Sequence, residues 1–140
     1  MILKTRAEWT PDDLDGVAHL LTDPVYNGTG PTLTPEGIQA VRDALPLMIP
    51  PDVPALAAVQ DGRVVLVFGF WPFIPGQGGM FHVAGTGEIQ DAHKLIGHYL
   101  DALPLKVRTY TFKGSVARLA RKAGFSVERD TPTGAYLLRR

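Results

Sequence analysis

Cysteine is absent from this 140-residue chain. That excludes a disulfide framework, a thiol nucleophile and any cysteine-based metal site. Long apolar runs are also missing. The longest, Val64 to Ile74, is interrupted by Gly69 and Pro72 and is too short to cross a bilayer. An excess of one charge is lacking, because 14 basic and 14 acidic side chains cancel. There is no internal repeat, Walker loop, EF-hand pattern or Ser-His-Asp spacing. His93 and His98 stand five apart, do not share a helical face and suggest no metal site. Met1 to Glu8 contains Lys4, Arg6 and Glu8 in place of a secretory leader's apolar run, so a secreted protein is not expected.

What is present fits one folded domain: 45% hydrophobic residues, 20% charged, and a length sufficient for a real core. The charges are unevenly spread. Residues 1–105 carry 5 basic and 12 acidic side chains, residues 106–140 carry 9 and 2. Two readings follow: the basic third packs against the acidic remainder, or it forms a face for an anionic partner. The first is the simpler.

The stretch that organises the chain is Leu105 to Phe125. Lys106 to Thr111 alternates polar with β-branched and aromatic residues, which predicts a half-buried strand. A helix follows, with Ser115 as expected N-cap and Val116, Leu119, Ala120 and Ala123 as its apolar stripe. Gly124 is expected to close it in a left-handed conformation.

Before that stretch, Met1 to Arg6 reads as a strand. Thr10-Pro11-Asp12-Asp13 reads as the start of a helix to about Leu21. Residues 22–34 read as loop. Thr34-Pro35-Glu36 starts a second helix through Leu45, where Pro46, Pro50, Pro51 and Pro54 are expected to forbid regular structure. Ala55 to Gln60 and Arg63 to Phe70 form a hairpin around Asp61-Gly62. Trp71 to Gly79 reads as a loop, Met80 to Ala84 as a fourth strand, Gly85-Thr86-Gly87 as a tight turn and Glu88 to Ala102 as a third helix. Ser126 to Arg129 and Ala135 to Leu138 are two last strands.

The predicted order is β-α-α-β-β-β-α-β-α-β-β, an α/β fold with a mixed central sheet of about six to seven strands and helices on both faces. Over nearly its whole length this order resembles the GNAT fold of the acyl-CoA N-acyltransferases. Lys122-Ala123-Gly124-Phe125 resembles the segment that ends the family's closing helix. The resemblance implies that the pantetheine arm of acetyl-CoA pairs with the fourth strand where it splays from the fifth. It also implies that the pyrophosphate sits on backbone N–H groups at the start of the third helix. On this chain the cofactor-binding stretch would be Val83, Ala84, Gly85, Thr86 and Gly87.

The family's chemistry is not carried over residue by residue. Its phosphate signature falls on Glu88-Ile89-Gln90-Asp91-Ala92-His93, which matches none of the key positions and adds two carboxylates. The Tyr that serves the family as general acid falls on Ala120, and its Asn falls on Lys113. His82, on the fourth strand, is the candidate general base, with an ordinary buried or solvent-facing strand histidine as the alternative. Trp71 and Phe73 are read either as the end of a core strand or as an apolar surface for a partner. With three signature places departing together, no cofactor is firmly expected. The preferred reading is a binding domain with a degenerate acetyl-CoA site, similar to divergent bacteriophage-encoded GNAT-like proteins, some of them virion-associated. Its expected setting is the bacterial host cytoplasm or the virion, with a protein partner or self-association and no membrane. The alternative is an acetyltransferase that moves an acetyl group from acetyl-CoA to an amine. Nucleic-acid binding through the basic third is the weakest reading, since no motif accompanies the charge.

Overall fold

Thr10 begins the first helix as a cap of two reciprocal bonds. Its Oγ1 accepts from Asp13 N–H at 3.1 Å, and Asp13 Oδ2 accepts from Thr10 N–H at 2.9 Å. Lys4 Nζ adds a 2.8 Å ion pair to the same carboxylate. Burial opposes the Asp13 charge, but the bonds from Lys4 and Thr10 outweigh it and hold the carboxyl below its usual range. One buried group thus ties the N-terminal strand to the helix that follows it.

The computed structural model describes residues 1–23, 25–27, 33–72, 80–103, 106–111, 113–132 and 134–139. In chain order the elements are β1 (Ile2–Thr5), a 3-10 turn (Arg6–Glu8), α1 (Pro11–Thr22), α2 (Pro35–Met48), β2 (Ala55–Gln60), β3 (Arg63–Trp71), β4 (Met80–Gly85), α3 (Ala92–Asp101), β5 (Val107–Thr111), α4 (Gly114–Lys122), β6 (Ser126–Thr131) and β7 (Gly134–Arg139). The strands form two antiparallel sheets, β1-β2-β3-β4 and β5-β7-β6. The single mixed sheet expected from the element order is therefore divided between β4 and β5. There a side chain, Thr109 Oγ1, donates to the Phe81 carbonyl at 2.7 Å.

Two apolar clusters cover opposite faces. On one, Val17, Leu20 and Leu21 of α1 and Val41, Leu45 and Met48 of α2 pack on Ala55, Ala57 and Val59 of β2 and Ala84 of β4. On the other, Ile96 and Leu100 of α3 and Ala120 and Ala123 of α4 pack on Ala58, Phe68, Phe81 and Val83. Phe81 is the hinge of the second cluster, with ring centroids 5.5 Å from Phe70, 5.9 Å from Phe125 and 6.5 Å from Phe68.

Local expectations are met where turn chemistry is specific. Asp61 and Gly62 both have positive φ, 53° and 75°, as a two-residue hairpin requires. Several boundaries differ: β3 takes in Trp71, expected in the following loop, and β6 and β7 run longer than expected. α2 continues through Pro46 to Met48, and burial of Leu45, Met48 and Ile49 offsets the N–H that proline lacks. α3 begins at Ala92 rather than Glu88, because Thr86 Oγ1 accepts from Glu88 N–H at 3.3 Å and Gly87 turns the chain at φ 82°. α4 begins at Gly114, and the residue before it is Lys113, so Ser115 lies inside the first turn and is not the cap.

α4 ends as its sequence predicts. Gly124 has φ 99°, its N–H reaches Arg121 O at 3.1 Å, and Phe125 N–H reaches Ala120 O at 3.0 Å, the paired bonds of a Schellman motif. Gly124→Ala forces a side chain into positive φ and places its methyl 3.0 Å from Arg139 Nε. The expected cost is about 1 kcal/mol. Chemical denaturation checks this, and an unchanged midpoint contradicts it.

Candidate functional site

Between β4 and α4 lies a cleft of about 240 Å³. Val83, Ala84 and Gly85 form one wall, and Ser115, Val116 and Leu119 of α4 the other. Gly87, Ile89 and Ala92 close the end toward α3, and Tyr26 and Lys113 stand at the lip. The walls are mostly apolar. Of the stretch Val83 to Gly87 singled out in the sequence, Val83, Ala84, Gly85 and Gly87 line this cleft and Thr86 does not.

The backbone of that stretch is already engaged. Gly85 N–H donates to Tyr26 O, and Thr86 N–H donates to Val65 O, each at 3.0 Å. Asn27 makes an antiparallel bridge to Ala84. A strap of the chain, Val25 to Asn27, thus runs along the edge of β4 that faces away from β3. It is built locally. Asp23 Oδ1 accepts from Val25 N–H at 2.9 Å, and the Asp23 carbonyl accepts from the N–H groups of Tyr26 and Asn27 at 3.0 and 2.9 Å. Buried Asn27 donates from Nδ2 to Leu21 O at 2.8 Å, which satisfies a carbonyl of the last turn of α1. Lys113 Nζ reaches across from α4 to Val25 O at 3.5 Å. Nothing in the sequence pattern distinguishes these residues from generic loop.

The carboxylates expected to repel a phosphate are each accompanied by a cation. Glu88 sits 3.2 Å from Arg63, and Asp91 lies 3.8 Å from Lys94. Both pairs are exposed, so each is worth little, but the repulsion is weaker than the bare sequence implies. Ala120 is buried in the core and offers no proton to a leaving thiolate. Tyr99 cannot substitute. It donates to Pro54 O at 2.6 Å, and burial raises its pKa to about 12. The cleft is thus mostly apolar, with the outward β4 edge engaged at Gly85 by Tyr26 O.

His82 is 5% exposed and lies on the α1 and α2 side of β4, stacked on Trp71 with ring centroids 5.2 Å apart. It is not among the described residues that line the cleft. Burial drives its pKa down to about 4, although a hydrogen bond with the Trp71 backbone works the other way. At neutral pH it is uncharged and a weak base. The candidate base of the sequence analysis is thus a core residue packed away from the cleft. Trp71 is 1% exposed and belongs to the same core, so it presents no surface to a partner. Phe73 lies outside the described residues. Among the described residues no group of His, Asp and Glu is placed to hold a metal, and no helix is long and apolar enough to cross a membrane.

The folded pKa of His82 is below its unfolded value of about 6.5, so the unfolded chain binds more protons between pH 4 and 6.5. Stability from this group is complete above pH 6.5 and is lost as pH falls toward 4. Wild-type stability should fall between pH 7 and 4.5 by roughly 2–3 kcal/mol more than that of His82→Gln. Denaturant titrations at the two pH values test this, and parallel losses contradict it.

No family model matches the chain, and no curated protein matches it. Solved structures do. Aminoglycoside 6′-acetyltransferase type Ii is similar with a TM-score of 0.64 and 16% identity, over 99% of this chain and 96% of that one. A ribosomal-protein-alanine N-acetyltransferase from Brucella melitensis is similar with a TM-score of 0.60 and 18% identity, over 99% and 97% of the two chains. The Campylobacter jejuni N-acetyltransferase PseH gives 0.58 and 14%, over 99% and 96%. At such identities the likeness speaks for architecture alone, and it spans essentially the whole chain: this protein has the GNAT fold.

Proposed function

We propose that the chain is a binding domain on the GNAT scaffold, in which its own strap takes the place of the cofactor arm. The observation that carries this reading is the engagement of the β4 edge, by Tyr26 O on Gly85 N–H and by Asn27 on Ala84. A pantetheine arm pairing with β4 there would have to displace the Gly85–Tyr26 bond and the strap that runs beside Ala84. Ala120, where a proton donor would be needed, supports the same reading. The proposal includes a phage-type role, virion-associated or in the host cytoplasm, exercised through a protein partner or self-association.

A second reading, acetyl transfer from acetyl-CoA to an amine, is favoured by one observation. The cleft is apolar where a pantetheine and acetyl group would lie, between Val83 and Leu119, with Ser115 beside it. The solved structures named above are acetyltransferases, and this reading extends their activity to the present chain.

Isothermal titration separates the two. On the binding reading, acetyl-CoA and CoA bind the wild type no better than about 1 mM, a free energy near −4 kcal/mol. Asn27→Ala, which loosens the strap, should tighten acetyl-CoA at least ~10-fold, about 1.4 kcal/mol. Micromolar affinity in the wild type would restore the acetyltransferase reading, and an unchanged affinity in Asn27→Ala would remove the strap as the reason for weakness.

A further inference from the structure

The basic last third is not neutralised by the acidic remainder. Among the described residues one ion pair joins them, from Arg139 to Asp101, while Arg108 pairs with Glu128 inside the last third. Arg118, Arg121 and Lys122 are exposed on α4 and have no ion-pair partner among the described residues. At neighbouring α3, Asp91, which precedes the helix, and Asp101, its last residue, are taken up by Lys94 and Arg139. The outer face of these two helices is therefore a net cationic surface.

The opposite side of the molecule has the opposite sign. Asp12 and Asp15 of α1 and Glu36 and Asp43 of α2 are exposed, and Arg42 is the single exposed Lys or Arg of these two helices. Asp13 is already committed to Lys4. The two apolar clusters place α1 and α2 on one face of the sheet and α3 and α4 on the other. The chain is thus dipolar across its thickness while its net charge is zero.

We propose that this charge separation is an interaction surface for a second copy of the same chain, with the α3–α4 face of one molecule against the α1–α2 face of the next. Complementary patches on opposite sides of one molecule make a heterologous contact, which adds copies head to tail and does not stop at a symmetric dimer. The match of sign, with three uncompensated cations facing four exposed acids, selects another copy over an unrelated acidic partner. One outer face of helices 10 and 9 residues long is smaller than the roughly 800 Å² per side of a standard interface. The association is therefore weak, dependent on concentration and sensitive to salt. It does not involve the cleft, so it stands or falls separately from the cofactor question.

Sedimentation velocity on the full chain tests it, at about 20 mM and about 500 mM salt, where the Debye length falls from ~20 Å to ~4 Å. The expected result is a weight-average mass that rises with concentration over ~0.1–1 mM at low salt and remains monomeric at high salt. Two variants then identify the faces. One is Arg118→Gln with Arg121→Gln and Lys122→Gln; the other is Asp12→Asn with Asp15→Asn and Glu36→Gln. Each alone should be monomeric. An equimolar mixture should form a dimer and grow no further, because each variant keeps the face that the other lacks. Circular dichroism melts confirm that both variants fold, and each single-face substitution made alone, such as Arg121→Gln, should give a partial loss if a triple variant does not. A wild type that is monomeric at low salt, variants that associate as the wild type does, or a mixture that stays monomeric would each overturn the proposal.

Discussion

A side-chain bond, from Thr109 Oγ1 to the Phe81 carbonyl, joins β5 to β4 where the described residues form no backbone ladder. Thr109 is buried, and an unmade bond to that carbonyl would cost about 1–3 kcal/mol. Beyond it the strands separate, and everything distinctive about the molecule follows from that separation. The sheet becomes two antiparallel sheets, α4 forms a wall opposite β4, and the outward edge of β4 from Val83 to Gly85 is left to find partners other than a strand. A buried edge cannot leave its polar groups unmatched without cost. Here the strap from Val25 to Asn27 lies along that edge, and Tyr26 O supplies a partner for Gly85 N–H.

The strap is itself a consequence of the end of α1. Asp23 folds the chain back by accepting bonds from Val25, Tyr26 and Asn27, and Asn27 returns to the Leu21 carbonyl. Helix termination, the covering of β4 and the narrowing of the cleft are therefore one hydrogen-bonded unit. His82 belongs to a different part of the design. It sits behind β4 against Trp71, in the core that supports the strand, and its low pKa reflects that dryness rather than preparation for proton transfer.

The elements fixed by short-range chemistry were legible before the structure. The Asp61-Gly62 turn, the Thr10 cap and the Gly124 closure each depend on residues adjacent in sequence, and each stands where it was read. Four residues of the stretch singled out in the sequence, Val83, Ala84, Gly85 and Gly87, line a cleft. The condition of that cleft was not legible. Whether β4 is open depends on Tyr26 and Asn27, some 58 residues earlier in sequence than the residues they contact, inside a Pro- and Gly-rich stretch without periodicity. Pro46 was misread for a similar reason, because the burial of Leu45, Met48 and Ile49 outweighs a local rule. The aromatic end of β3 was ambiguous because Trp fills cores and interfaces equally well, and burial assigns Trp71 to the core. The charge asymmetry was visible, but only the ion-pair geometry shows that, among the described residues, Arg118, Arg121 and Lys122 have no ion-pair partner.

The central claim is that the edge of β4 is closed by the chain itself. Amide hydrogen exchange at Gly85, followed by NMR in the absence of any ligand, measures it most directly. The account predicts that this N–H, bonded to Tyr26 O, exchanges orders of magnitude more slowly than an unstructured glycine, and that Asn27→Ala releases it while the β3-facing amide of Ala84 stays protected. Exchange of Gly85 at the unprotected rate in the wild type would mean that the edge is open and would contradict the account.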